Sequence, residues 1–442
     1  MSGFSVAALG DIPNRDSWIP VRDHLGISAF GVNAYRATEA GGRVISDHTE
    51  TMAQHEELYL VVEGHATFTV DGDEIDAPQG TFVFVGDVTA RRGAVAKQEG
   101  TTVLVAGARP GHAFEVSPWE ESWAESQEAM RLYREQRYGD AATVLREAVE
   151  HHPDSAGLQY NLACFESMAG VGATTVAERL GRAVELYPGF KEFARADSDF
   201  DPVRDDPAFQ ALVDQPAAEP APAATAGPSH QAAHLEDIEV LDDGRCPSQP
   251  VRHHFGITSF GATAWTAPQA GDRIINEHDE SEPDSDEELY AVVAGHARFE
   301  LDGEQVDAPA GTLVFAPPGV KRTAFAEEAG TSILVLGGIP GKAFEPFGWE
   351  VWAPLNHLYA EGRYAEAADR GRELIEAYPQ YAGPLYNVAC CESLAGRKSD
   401  AIEHLRRAIE LTDGFRVHAE SDSDFDPIRD EPAFQELMAP RA

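Results

Sequence analysis

The sequence predicts a multidomain chain in which two all-β barrels alternate with two small all-α domains. Three observations lead to this prediction. The sequence contains two similar halves whose segments follow the same order, and each half begins with short segments in which apolar and polar residues alternate. Each half ends with apolar residues at helical spacing. The chain has 442 residues, of which 43% are hydrophobic, so it is long enough for several packed domains and is not wholly disordered.

The duplication is visible in matching blocks. HEELYLVVEGHATFTVDGDEIDAPQGTFVF, which starts at His55, corresponds to DEELYAVVAGHARFELDGEQVDAPAGTLVF, which starts at Asp286. Further on, DSDFDPVRDDPAF from Asp197 corresponds to DSDFDPIRDEPAF from Asp422. The blocks keep their order, so one two-domain unit has been duplicated.

These patterns divide the chain into five predicted segments. The barrels are residues 1–118 and 235–348, the helical domains are 119–213 and 349–442, and a Pro- and Ala-rich linker covers 214–234. We expect the two barrels to pair within one chain, as two half-length ancestors would in a dimer. A linker of this length can span such a pair.

Period-two alternation predicts the strands. Ala66, Phe68 and Val70 share one face of a strand, and the Asp71-Gly72 turn that follows is a strong hairpin signal. The second half repeats the turn at residues 302–303. Short, evenly spaced strands of this kind indicate a sandwich or a barrel.

The second part of each half has apolar residues at three- and four-residue spacing. A pair of helical segments recurs there after 34 residues, with Gly362 repeated as Gly396. Together with Tyr364, Ala368 and Pro379, this spacing resembles the tetratricopeptide repeat (TPR). The resemblance implies helical hairpins that can hold a protein partner. Each half has only about two repeats, so we expect the helices to pack on their own barrel or on each other.

Composition excludes several classes of partner. The chain has 34 basic and 75 acidic side chains, a net charge of −41, which disfavours nucleic acids and anionic membranes. No apolar run approaches the roughly 20 residues of a membrane helix, and the first residues do not resemble a signal peptide. The four cysteines form no CxxC pair. We therefore expect a reduced, cytoplasmic protein with buried thiols. The high content of Ala and Arg with few Lys is typical of a protein encoded by a GC-rich bacterial genome.

The barrel segments resemble the cupin family. The resemblance covers roughly residues 20–115 and 250–345 and rests on the run from Glu57 to Gly64, the DG turn, the PxG that follows it and Phe-Val-Phe. It implies a jelly-roll-like double-stranded β-helix. In cupins, two His and a Glu of the first motif and a His of the second hold a metal inside the barrel.

Only part of that metal set transfers to this sequence. The glutamates at 57 and 288 match, but the family's closely spaced histidines are absent, and the second-motif histidine falls at Arg92 and Arg322. The residues present offer a different set, in which His-x-Glu spacing places each pair on one face of a strand. The candidate ligands in the first half are His48, Glu50, His55 and Glu57, and those in the second half are His278, Glu280, Asp286 and Glu288.

Two interpretations of this site stay open. Imidazole nitrogen with carboxylate oxygen suits a divalent transition metal such as Zn, Fe, Mn, Ni or Co. In that case Arg92 and Arg322 are candidate ligand-binding residues, because a guanidinium matches an anionic small molecule. Alternatively, each arginine pairs with Glu57 or Glu288 and satisfies the charge without a metal.

Two functions follow. The first is a metal-capable cupin that acts on or binds a small molecule and, if it is an enzyme, works as an oxygenase, isomerase or lyase. The second is a non-catalytic sensor or adaptor, in which metal-free barrels bind a ligand or nothing and the TPR-like helices hold a protein partner. No other catalytic motif stands out in the sequence.

Overall fold

The computed structural model describes residues 3–13, 17–214, 228–241, 246–281, 285–346 and 348–439. The chain forms two compact units. The N-terminal unit consists of Ile12–Ala232 with Pro340–Ala343. The C-terminal unit consists of Met1–Asp11, Ala233–Ile339 and Phe344–Ala442.

The strands repeat in two sets. The first set is β1 Ser5–Ala8, β2 Trp18–Ile19, β3 Gly31–Arg36, β4 Arg43–His48, β5 Glu56–Glu63, β6 His65–Val70, β7 Asp73–Pro78, β8 Thr81–Val85, β9 Arg92–Ala96 and β10 Thr102–Ala108. The second set is β11 His230–His234, β12 Ser248–Gln249, β13 Gly261–Thr266, β14 Arg273–His278, β15 Glu287–Ala294, β16 His296–Leu301, β17 Glu304–Pro309, β18 Thr312–Ala316, β19 Arg322–Ala326 and β20 Ser332–Gly338.

Each set of strands forms a six-stranded and a four-stranded sheet. The orders are β11-β8-β5-β10-β3-β2 with β4-β9-β6-β7, and β1-β18-β15-β20-β13-β12 with β14-β19-β16-β17. In both, eight core strands are distributed over the two sheets in the order of a jelly roll, and their apolar faces meet in a common core. The structure thus has the β-rich domains with antiparallel sheets and the helical portion that the sequence predicts.

The hairpin between β6 and β7 confirms the predicted turn. Val70 pairs with Asp73, and the two residues between them have φ of 50° and 94°. Both values are positive, as a type I′ turn requires, and Gly72 adopts its value at no steric cost. The alternation is also confirmed, since Ala66, Phe68 and Val70 are buried.

The helices also repeat in two sets. The first is α1 Val21–Leu25, α2 Pro118–Glu121, α3 Trp123–Arg134, α4 Tyr138–His151, α5 Ala156–Met168, α6 Ala173–Leu186, α7 Phe190–Ala196 and α8 Pro207–Val213. The second is α9 Val251–Phe255, α10 Gly348–Trp352, α11 Asn356–Ala360, α12 Tyr364–Ala377, α13 Ala382–Leu394, α14 Lys398–Leu411, α15 Gly414–Ser421 and α16 Pro432–Met438. Short 3₁₀ helices cover Ser198–Val203, Leu235–Asp237, Ala353–Leu355 and Ser423–Ile428.

Helices α3 to α6 pack on their sequence neighbours, as do α12 to α14. Their inner faces form one apolar core in each unit, with Leu162 of α5 and Val388 of α13 fully buried. At the end of α7, the Asp197 side chain accepts a hydrogen bond from the Asp199 N–H and caps the next 3₁₀ helix. The assignment of the helices to the TPR family stays a prediction.

Two ends of the predicted segments differ in the structure. Residues 1–11 were predicted to be part of the first barrel, but β1 pairs with β18, so Met1–Asp11 belongs to the C-terminal unit. Of the predicted linker 214–234, residues 215–227 lie outside the described part of the chain, and its last five residues form β11. The other predicted boundaries stay predictions.

The four cysteines are free and buried, as expected. Burial, followed by the negative charges of Asp197 and Asp199, raises the pKa of the Cys164 thiol, which therefore stays protonated. Among the described helices, none is both long and apolar enough to cross a bilayer.

Candidate metal centre

The site in the N-terminal unit is assembled from both sheets. His48 ends β4 and pairs with Arg92 of β9 in the four-stranded sheet. Glu57 lies on β5 in the six-stranded sheet, opposite Gly107 of β10. A Cβ at Gly107 would lie 3.2 Å from the Glu57 Cγ, so glycine leaves room for that side chain. Glu50 is in the loop that joins β4 to β5.

Three of these side chains converge on one point. The His48 Nε2 lies 3.5 Å from the Glu50 Oε1 and 3.3 Å from the Glu57 Oε2, and one ligand atom from each residue falls within 4.8 Å of the other two. The His48 Nδ1 lies 2.7 Å from the Ser46 carbonyl oxygen, to which it donates. That hydrogen bond fixes the imidazole so that Nε2 faces the carboxylates, as in many metal sites.

Glu57 has two further partners. The Tyr59 hydroxyl donates to the Glu57 Oε2 at 2.5 Å, and the Arg92 Nε lies 3.1 Å from the same oxygen. The Arg92 side chain is fully buried. The Arg92 Nη1 donates to the Ala90 carbonyl, whereas Nε and Nη2 make no aligned hydrogen bond within the described part of the chain.

Burial and charge shift the titration of these groups. Burial, followed by the negative charge of Glu57, raises the pKa of Glu50 to about 8. Burial alone would also raise the pKa of Glu57, but the hydrogen bond from His48 and the charge of Arg92 outweigh it and lower that pKa. Burial would lower the pKa of His48, but its interactions with Glu57 raise it. Because Glu50 and Glu57 are close together and shielded from water, ionisation of one carboxyl group disfavours ionisation of the other.

His55 stands beside this group. Its Nδ1 lies 4.0 Å from the Glu50 Oε2, and its ring contacts Phe114 with 6.0 Å between centroids. Burial lowers the pKa of His55, so the imidazole is neutral near pH 7. A neutral imidazole is the form that ligates metals.

A cavity of about 480 Å³ opens against these residues. His48, Glu50, His55 and Glu57 are on its wall. The wall also includes Tyr59, Asn33 and Glu120 and a set of apolar and aromatic side chains, among them Trp18, Met52, Phe114, Trp119 and Trp123. The volume is in the range that holds a small organic ligand.

The C-terminal unit repeats the arrangement with tighter pairing. The His278 Nε2 lies 3.1 Å from the Glu288 Oε2. The Arg322 Nε and Nη2 both donate to that oxygen, at 3.0 and 2.5 Å, and the Tyr290 hydroxyl donates to it as well. These interactions offset the effect of burial and lower the pKa of Glu288 to about 2.

The other two predicted ligands of this unit are placed differently. Glu280 groups with His278 and Glu288 within 4.8 Å, although it is partly exposed. Asp286 is buried outside that group, and burial followed by the charge of Glu288 raises its pKa to about 8.

The structure therefore brings together three residues of each predicted set and leaves His55 and Asp286 at the margin. Arg92 and Arg322 were predicted to bind a ligand. Both are buried against a glutamate, and Arg92 is absent from the described residues that line the cavity, so the geometry favours a counter-ion role.

Two tyrosines that donate hydrogen bonds to the glutamates were not among the predicted site residues. Tyr59 and Tyr290 follow Glu57 and Glu288 by two residues, so they share the face of the strand that carries the glutamate. The spacing Glu-Leu-Tyr, present in both halves, was the available signal.

Comparison with known proteins finds similar solved structures at low identity and low TM-score. No family model matches the sequence, and no curated protein matches it. Similar solved structures include protein Ylba from E. coli (9% identity, 78% of this chain and 93% of that chain covered, TM-score 0.40), a cupin 2 conserved barrel domain protein from Leptotrichia buccalis (8%, 76% and 88%, 0.33) and a variant of oxalate decarboxylase from B. subtilis (14%, 77% and 78%, 0.39). Scores this low carry no argument about activity, so the jelly-roll description rests on the strand order.

Proposed function

We propose that this chain is a metal-binding protein of the cupin type, in which the N-terminal unit holds one divalent transition metal and binds a small molecule beside it. The proposed ligands are His48, Glu50 and Glu57, with His55 as a neighbour that can join them. The observation that carries the proposal is the convergence of these side chains on the wall of a 480 Å³ cavity.

The donor set fits such a metal. One imidazole nitrogen and two carboxylate oxygens suit first-row transition metals, and His48 is already oriented by its hydrogen bond to the Ser46 carbonyl. Within the described part of the chain, the ion pairs of Glu50 are with two histidines and no arginine or lysine. A divalent cation would provide the charge that this buried carboxylate lacks.

When bound, a divalent metal supplies a Lewis acid that polarises a carbonyl or orients a substrate oxygen. The chain's own residues set the conditions for that chemistry. Tyr59 and Arg92 hold Glu57 in place and keep it ionised. The apolar and aromatic side chains of the cavity wall provide the surface that a small molecule would contact.

For the C-terminal unit we propose a metal-free role. Arg322 donates two aligned hydrogen bonds to Glu288, so the positive charge that a metal would supply is already present. The analogous Arg92 makes no aligned hydrogen bond to Glu57 within the described residues. This difference favours one metal per chain and assigns the sensor-like alternative to the second barrel alone.

The duplicated halves supply a matched pair of variants for the test. Glu50→Gln removes the carboxylate that lacks an arginine, and Glu280→Gln makes the same change at the corresponding position of the other unit. We expect Glu50→Gln to lower the copurified metal severalfold, and Glu280→Gln to leave it at the wild-type level, as measured by elemental analysis. Equal metal content in both variants would contradict the assignment.

A further inference from the structure

Beyond the metal ligands, the cavity wall of the N-terminal unit is strongly aromatic. Trp18, Phe114, Trp119 and Trp123 all line it, and each is only partly buried. The rings of Trp18 and Trp123 meet edge to face with 4.7 Å between centroids. Indole rings offer flat faces on which another aromatic ring packs in offset or edge-to-face geometry.

The described cavity wall has few side chains that would bind an anion. Its charged side chains are three glutamates and two histidines, and the described lining residues include no arginine or lysine. Arg22 lies behind the wall, 2.5 Å from Glu120, and Arg92 is buried against Glu57. In the cavity without a metal, a carboxylate or phosphate would lose water without gaining an arginine or lysine side chain from the described wall.

One polar atom on the wall lacks a partner. The Asn33 Oδ1 is buried and accepts no hydrogen bond from any described residue. A buried acceptor without a donor is costly, so a ligand that carries an O–H or N–H donor would satisfy it.

Two of these four positions are not aromatic in the other half. Trp18 pairs with Tyr35 in the same register in which Ser248 pairs with Trp265. In the aligned segments PWEESWAE and GWEVWAPL, Ala353 occupies the position of Trp123. The two halves share the sheet framework but differ at these two rings, so the jelly roll itself does not require tryptophan at either position.

We propose that this cavity selects an uncharged aromatic molecule with a hydrogen-bond donor, an inference that rests on the proposed small-molecule function of the same site. The aromatic body packs against Trp18 and Trp123, and the donor reaches Asn33. The class is a hydroxyl- or amide-bearing aromatic compound and not a small organic acid.

Three probes of similar size separate the contributions of the aromatic ring, the hydrogen-bond donor and the negative charge to binding. Benzyl alcohol has the ring and the donor, cyclohexylmethanol keeps the donor on a saturated ring, and benzoate keeps the ring but carries a negative charge. Binding to the full-length chain is followed by tryptophan fluorescence and ligand-detected NMR, before and after EDTA treatment. We expect benzyl alcohol to bind about two- to tenfold more tightly than cyclohexylmethanol in both states. We expect it to bind more tightly than benzoate in the EDTA-treated protein.

Variants that introduce the residues of the second half test the contribution of the two tryptophan rings to binding. Trp18→Ser and Trp123→Ala should each remove the preference for benzyl alcohol over cyclohexylmethanol, whereas Trp18→Phe should keep most of it. If either small variant fails to fold, the wild-type comparison of the three probes still decides. Equal binding of the two alcohols, tighter binding of benzoate after EDTA treatment, or no binding of benzyl alcohol would overturn the inference.

The metal content of the same samples keeps the two proposals apart. A chain that selects benzyl alcohol but carries no metal would contradict the proposed metal site alone. A chain that carries metal but shows no aromatic preference would contradict this inference alone.

Discussion

Glu57 and Glu288 have the same kinds of neighbour but different hydrogen bonds. Each is flanked by a histidine, a tyrosine and a buried arginine. Within the described part of the chain, only Glu288 receives two aligned hydrogen bonds from its arginine. The same fold thus gives one carboxylate that its arginine holds through hydrogen bonds and one that its arginine holds through a looser ion pair.

The buried arginine of the C-terminal unit can be tested by its removal. Arg322→Ala leaves the Glu288 carboxylate buried without a cationic partner, so we expect the free energy of unfolding to fall by about 3–5 kcal/mol. Lys321→Ala, next along the chain, removes an exposed cation and should change the free energy of unfolding little. Denaturant titration measures both, and a loss for Arg322→Ala no larger than the control would show that the ion pair is not buried.

Metal binding should depend on pH. Ligation needs a neutral imidazole at His48 and an ionised carboxylate at Glu50, whose pKa burial raises to about 8. Protons therefore compete with the metal, and affinity should increase as pH rises from about 6.5 towards 8. Competition with a chelator of known affinity measures this trend. Affinity that stays flat across the interval would argue against these ligands.

Sequence spacing predicted the centre of the site better than its margin. His48 and Glu57 converge because period-two strands fix which face a side chain takes. His55 and Asp286 directly precede β5 and β15, where loop geometry and not strand period sets direction. The position of Trp18 on the cavity wall was not predicted. In the sequence, an aromatic residue of a short strand is the same whether its side chain fills a core or faces a ligand.

Local sequence patterns predict the hairpins and helices, but they do not predict where strand β1 pairs. The Asp71-Gly72 turn carries its own conformational signal. By contrast, β1 has only four residues and pairs with β18, roughly 300 positions later in the chain. No local pattern encodes a partner at that distance.

The packed helical core gives a test at the level of one element. Leu162 of α5 has no exposed surface, so Leu162→Asp should bury an unpaired charge and cost several kcal/mol. Asn161→Asp adds the same charge at the neighbouring, partly exposed position and should have a small effect. Circular dichroism melting compares them, and an unchanged melting curve for Leu162→Asp would contradict the packing described for α5.

For the whole molecule, each unit contains segments from both halves of the chain. The half 1–215 carries Met1–Asp11, which belongs to the C-terminal unit through β1. We therefore predict that separately expressed halves 1–215 and 234–442 associate at micromolar concentration, and that the shorter half 12–215 associates more weakly. Sedimentation of the mixtures measures both. Equal association of the two first halves would show that β1 contributes nothing, and no association would also remove support for paired barrels.

The most direct test of the proposed metal site is the number of metal ions per chain in protein purified without added metal. We predict about one equivalent of a divalent transition metal in the wild type. His48→Ala should lose most of it, and His278→Ala, the same change in the other unit, should retain it. A metal-free wild-type chain, or a metal that survives His48→Ala and disappears with His278→Ala, would contradict the account.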